Sequence, residues 1–388
     1  MYSYQSMDRR SFLISMGGLA VSQLLVGCAD SKQAKLNVQL LKSSIPAQVV
    51  DQFRRNLTQQ VQVKFAPVPQ LQDIFKQLQT WQQKPTAKQD QEWTRFIPFR
   101  QSQSSAVANL VTLGDYWLKT AIAQQLIQPL EPKQLKHWSE LDARWQKLVT
   151  RNQQGFPDLQ GKVWAAPYRW GSTVIVYNQD KFKELGWIPQ DWSDLWRAEL
   201  KERFSLLNHP REVIGLVLKK LGKSYNTENL DAVPELEQQL RTLNQQVKFY
   251  SSNTYLQPLI IGDTWLAVGW SNDVVPILSR YPQLKMIIPS SGTAIWADLW
   301  VSPKGAAQDD LSSQWIDFCW QPNIAKQIAL RTQSNSPIPT NIVAADIPAS
   351  FTSLLLNNRE VLDKSEFLLP LQPPIAQQYE SLFSKIKA

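Results

Sequence analysis

The sequence predicts an α/β protein of two lobes on mixed, mainly parallel sheets, and three observations carry that expectation. The chain opens with alternating strand-like and helix-like segments, the pattern of a sheet whose strands are joined by helices. Its 388 residues exceed one ordinary domain and suit two. Two apolar, β-branched and aromatic stretches, at 163–178 and 261–303, read as buried strands, with a crossing between the lobes in each.

Taken in order, a weak alternation marks a first strand at 36–41. Pro46 suits the first position of a helix over 47–57, with Val49, Val50, Phe53 and Leu57 on one face. A second strand at 61–65 closes at Pro67 and Pro69, and an amphipathic helix covers 71–83. Residues 84–105 are polar, rich in Gln, Lys and Ser, and read as a surface excursion. A strand at 107–113 ends in Gly114-Asp115 and opens a helix over 116–125. Shorter pieces carrying His137, Trp138 and Trp145 fill 133–160. From 163 to 178 a strand, a kink at Pro167 and Gly171, and a strand of new direction would supply a hinge. A helix starts at 191–196, a short strand occupies 204–207, and Pro210 begins another helix. Strands at 247–250, 265–270 and 285–288 alternate with helices at 234–246, 255–259 and 272–281. The run 295–301 crosses back. Helices at 309–319 and 323–332, a Pro-rich connector at 336–339 and a last helix over 376–385 complete the chain.

The N-terminus stands apart from this fold. Asp8-Arg9-Arg10-Ser11-Phe12-Leu13-Ile14 resembles a twin-arginine export signal and leads an apolar, uncharged run over 12–26. That run is shorter than the ~20 residues of a membrane span and suits a signal peptide. It ends in Leu25-Val26-Gly27-Cys28, which looks like a bacterial lipoprotein box. The expectation is a signal peptide at 1–27 and a lipidated tether at 28–35, holding an exported protein at the periplasmic face of a bacterial membrane. Losing Arg9, Arg10 and Asp8 takes the net charge from +8 to +7. Cys319 would then be the one remaining thiol, so no intrachain disulfide is expected. The positive charge is spread along the chain, without the basic block of a nucleic-acid binder.

Chemistry concentrates at 261–303. Trp270 precedes Asp273, and Trp296 precedes Asp298, each pairing an aromatic face with a carboxylate at a strand end. An organic cation could use both. Core packing for the tryptophans and helix capping for the aspartates are the competing structural roles. Asp115 stands open between the same two readings, capping a helix at a strand's carboxyl end where ligands of α/β sheets collect. An enzyme is disfavoured. His137 and His209 are the only histidines, no Gly-x-Ser-x-Gly elbow occurs, and no Cys/His cluster could hold zinc. Neither cofactor nor metal is expected.

Nine motifs in order carry a family resemblance. They are Leu113-Gly-Asp-Tyr116, Tyr168-Arg-Trp-Gly-Ser-Thr173, Trp192-Ser-Asp-Leu-Trp196, Pro210-Arg-Glu-Val-Ile-Gly215 and the run 218–227. Ala267-Val-Gly-Trp-Ser271, Ala294-Ile-Trp-Ala-Asp298, Ser302-Pro-Lys-Gly305 and Ser336-Pro-Ile-Pro-Thr-Asn341 continue the series. The chain resembles the spermidine/putrescine-binding branch of the periplasmic solute-binding proteins of ABC importers, over essentially all of its mature length. The resemblance implies a two-lobe periplasmic-binding-protein fold that closes on its ligand by a hinge motion. Lobe 1 would take 36–169 plus 297–343, and lobe 2 would take 170–296 plus 344–388.

It further implies that Trp270, Trp296 and Asp298 face a cationic ligand and that Glu212 supplies a second carboxylate. His209 replaces an acidic partner of that glutamate, and Leu41-Lys42-Ser43-Ser44 replaces an aromatic loop. Asp115 could restore the lost negative charge from another wall, and Lys42 would repel an amine if it pointed inward. Trp170 is a candidate too, with hinge packing as its alternative. The implied partners are a small cationic solute of the polyamine class, permease and ATPase subunits, and the membrane through Cys28, with the receptor itself a monomer. An amino-acid-like or mixed-charge solute, or binding without transport, is the alternative.

Overall fold

The computed structural model describes residues 35–57, 61–83, 107–307, 309–347 and 359–388. The expected leader with Arg9 and Arg10, the lipidation candidate Cys28 and the excursion at 84–105 lie outside these residues. The chain opens as β1 (Lys35–Leu41), α1 (Ala47–Asn56), β2 (Gln62–Val68), α2 (Leu71–Gln82), β3 (Leu110–Gly114) and α3 (Asp115–Ala123). Then come β4 (Ile127–Gln128), α4 (Ala143–Val149), β5 (Thr150–Arg151), β6 (Lys162–Val163) and the long β7 (Ala166–Asn178). The next stretch holds α5 (Gln179–Leu185), β8 (Phe204–Leu206), α6 (Pro210–Lys220), α7 (Leu236–Asn244) and β9 (Phe249–Tyr250). It continues with α8 (Leu256–Ile260), β10 (Leu266–Trp270), α9 (Ser271–Leu278) and β11 (Leu284–Ile287). Last are β12 (Ala294–Pro303), α10 (Asp310–Trp320), α11 (Pro322–Thr332), α12 (Arg359–Lys364), β13 (Glu366–Phe367) and α13 (Pro373–Lys387).

Strand alternation does what the sequence asks of it. On β1, Leu36, Val38 and Leu40 are buried while the residues between them are half-buried. β1 lies between β2 and β3 and is parallel to both. β2 runs on through Pro67, past the expected stop, because it is the sheet's outer strand. There a missing N–H need not cost a ladder bond. In the second lobe β8 is parallel to β9 and β10.

β7 and β12 join the two sets of parallel strands. Both are buried along nearly their whole length, and they run antiparallel with Trp296 opposite Gly171 and Asp298 opposite Arg169. β7 is one continuous strand rather than two. Its first half pairs with β12, and Thr173 to Asn178 pair with β10 and β11. In place of a sharp kink, the ladder shifts register between Asp298 and Leu299, opposite Arg169 and Pro167. A proline that cannot donate belongs at such a bulge. Gly171 also serves differently from expectation, since its φ is not in the left-handed region. A Cβ there would lie 2.2 Å from Trp296 Cζ2 and 2.5 Å from Ser271 Oγ, so glycine is needed for close approach.

One core gathers around β1, β3 and β12, where Trp300 stacks on Tyr168 at 4.4 Å and meets Trp315 edge-on at 5.7 Å. Two further clusters fill the other lobe on either side of Val174 and Ile175. Trp170 and Ile295 pack in the first core, so β7 changes lobe between residues 170 and 174. The C-terminal segment, expected wholly in lobe 2, divides. Leu362, Phe367 and Leu369 pack on the first core, while Leu371, Tyr379, Phe383 and Ile386 pack in the second lobe.

Candidate functional site

A cavity of about 370 Å³ opens between the start of α3, the middle of β12 and the starts of α6 and α9. Six of the seven ligand-binding candidates line it: Asp115, His209, Glu212, Trp270, Trp296 and Asp298. Trp170 does not. It is 4% exposed, its indole N–H donates to the Ser336 carbonyl at 2.9 Å, and its ring lies 5.6 Å from Trp145, so hinge packing is its role. Lys42 is exposed and absent from the cavity wall, whereas Leu41 lines it. Asp273 turns away as well, accepting from the Tyr255 hydroxyl at 2.7 Å.

Glu212 is fixed by its place in the first turn of α6, behind Pro210 at the helix start. It is 5% exposed and accepts hydrogen bonds from Thr173 Oγ1 at 3.0 Å and from the Trp270 indole N–H at 3.2 Å. Burial pushes its pKa up to about 7, and hydrogen bonds from Trp270 and Thr173 offset only part of that rise. Its neighbour Arg211 turns away from the cavity, donating to Leu369, Tyr225 and Asn226. Asp115 opens α3 on the opposite wall and accepts from the Ala297 backbone N–H at 3.2 Å. Burial raises it to about 7 too, against the opposing pull of the Ala297 N–H and the buried cation Arg151. Arg151 itself spends its donors on the Leu148 and Gly155 carbonyls, and burial pushes its pKa down to about 10.

Asp298 is held differently. Arg169 Nε donates to its carboxylate at 2.6 Å, and both side chains are buried. Burial alone would lower the arginine's pKa, but the Asp298 charge, the Tyr168 hydroxyl and hydrogen bonds to both together outweigh it and leave the pKa raised. The pair as a unit carries no net charge, although Asp298 still acts on Asp115 and adds to the rise of its pKa. His209, at the cap of α6, has its pKa pushed down to about 4 by burial, with Arg211 adding to the effect, so it is neutral at pH 7. Its ring meets Tyr116 edge-on at 5.8 Å across the cleft. The cavity therefore offers on each side a carboxyl that is hydrogen-bonded but outside any ion pair among the described residues, together with two tryptophans. Such a set can desolvate and pair the ammonium ends of a small cation.

Arg169, Thr173 and Tyr116 have site roles that the sequence reading did not assign, although each stands inside a quoted motif. The usable signal for Arg169 was a charged residue within an otherwise apolar, buried strand, since such a charge needs a partner nearby.

Three comparisons bear on this geometry. A family model described as bacterial extracellular solute-binding protein matches residues 105–359. The putrescine-binding periplasmic protein PotF of Escherichia coli is 30% identical over 237 residues, covering 57% of this chain and 62% of that one. The spermidine/putrescine-binding periplasmic protein of Salmonella typhimurium is 25% identical over 221 residues, covering 57% and 61%. The chain thus spans about three fifths of the length of these curated relatives. Among solved structures, the spermidine/putrescine ABC transporter substrate-binding protein PotD of Streptococcus pneumoniae superposes with a TM-score of 0.73 at 20% identity. That match covers 92% of this chain and 99% of the other. It bears on the fold alone, an α/β arrangement of two lobes.

Proposed function

Because this chain belongs to the bacterial extracellular solute-binding proteins, we propose that it is the capture subunit of an ABC importer for a small polyamine. The ligand lies between the lobes, with one ammonium end on Glu212 and the other on Asp115. Trp270 and Trp296 cover its methylene chain. Asp298 contributes to the wall while paired to Arg169, and His209 closes the rim with Tyr116. The observation that carries this reading is a pair of carboxyls, Glu212 buried and Asp115 half-buried, on opposite walls of one aromatic cavity. The names of the relatives support the same ligand class.

The lobes, 36–169 plus 297–343 and 170–296 plus 344–388 apart from the C-terminal division described above, close about the paired positions Gly171 and Trp296. Closure would present the complex to permease and ATPase subunits. The receptor works as a monomer, exported by the leader containing Arg9 and Arg10 and held to the membrane by lipid on Cys28. No helix among the described residues is long and apolar enough to cross a membrane. A thermal-shift screen of the mature protein against polyamines, amino acids and sugars tests the ligand class. Putrescine or spermidine should raise the melting temperature. Silence from every amine alongside a response to another solute would refute the proposal.

A further inference from the structure

We infer that Arg169 is a specificity-determining residue that restricts this cavity to ligands with two cationic ends. The inference rests on the amine reading and sharpens it to diamines. Among the described residues, four charged side chains line the cavity: Asp115, Glu212, Asp298 and Arg169. Arg169 lies directly opposite Asp298 in the β7–β12 ladder, 2.6 Å from it, and both are more than nine-tenths buried. A carboxylate so engaged belongs to a pair with no net charge to offer a ligand. His209 adds none, and the charge of Arg151 acting on Asp115 makes the wall less negative still. Two carboxyls remain for two ammonium groups. A third ammonium inside the cavity would be desolvated beside a guanidinium without an anion of its own, which is strongly unfavourable.

The test is a calorimetric comparison of putrescine with spermidine on the wild-type protein, on Arg169→Met and on the double variant Arg169→Met/Asp298→Asn. Wild type should bind putrescine at least tenfold more tightly than spermidine. Arg169→Met releases Asp298, and the ratio should move at least tenfold toward spermidine. The double variant removes both charges and should return the ratio to the wild-type value, which mere disturbance of the fold would not do. Should Arg169→Met fail to fold, the wild-type ratio and the double variant decide. Equal binding of both amines by wild type, or a ratio that the double variant shifts toward spermidine, overturns the role of Arg169 and leaves the amine reading standing. Binding of neither amine by wild type refutes the reading underneath.

Discussion

Replacing Glu212 with glutamine should make the ligand-free protein more stable and the receptor weaker, two effects of opposite sign from one buried carboxyl. Burial raises the folded-state pKa of Glu212 from 4.5 to about 7. The folded chain therefore holds this proton more tightly than the unfolded chain does. The resulting stabilisation is complete below pH 4.5 and is lost as pH rises through 7. Above pH 7 the ionised side chain costs on the order of 3 kcal/mol. Glutamine occupies the same space, still accepts from Thr173 and Trp270, and never ionises. Ligand-free Glu212→Gln should thus melt several degrees above wild type at pH 8, with the gap closing by pH 5. Putrescine should bind it ~10- to 100-fold more weakly at pH 8, as loss of a charged hydrogen-bond partner worth about 1.5–3 kcal/mol predicts. Thermal unfolding and calorimetry on one preparation measure both. A variant that is less stable at pH 8, or that binds putrescine as tightly as wild type, would refute the reasoning.

Two other substitutions test the opposite wall and the hinge. Asp115→Asn keeps an acceptor for the Ala297 N–H but removes the second charge, so putrescine affinity measured by calorimetry should fall about tenfold or more. Gly171→Ala places a methyl group 2.2 Å from Trp296 Cζ2. Either the indole or the β7–β12 ladder must give way, and overpacking of this kind costs about 1–3 kcal/mol in thermal stability and displaces a cavity wall. Unchanged melting and binding in that variant would show that the crossing has slack the packing does not suggest.

Much of the fold was legible because local rules were sufficient. Pro46 and Pro210 announce helix starts, and the alternation of Leu36, Val38 and Leu40 sets one face of β1. The short strands β4, β5, β6 and β13 were illegible, because two residues carry no periodicity and are strands only by virtue of their partners. Pro67 was read as a stop and Pro167 as a kink. Whether a proline ends a strand depends on which side of it faces a neighbour, and that is fixed by tertiary order. In the site, tryptophan and carboxylate at strand ends pointed to Trp270, Trp296, Asp298 and Asp115, whereas Glu212 and His209 came only from the family resemblance. Trp170 has the same local pattern, but its indole is satisfied by the distant Ser336 carbonyl, 166 residues away in the chain. The sequence could not show that Asp298 is already paired, since its partner lies 129 residues earlier and meets it only through the β7–β12 register.

The most direct test of the central claim is a titration of the protein with putrescine at pH 7, by calorimetry in two buffers of different ionisation enthalpy. Asp115 and Glu212 both titrate at about 7 in the free cavity. An arriving ammonium pair favours their ionised forms, so binding must drive protons off. The predicted result is saturable one-to-one binding with net proton release, and an affinity that rises between pH 6 and pH 8. Absence of saturable heat with any amine, or binding accompanied by proton uptake, would contradict it.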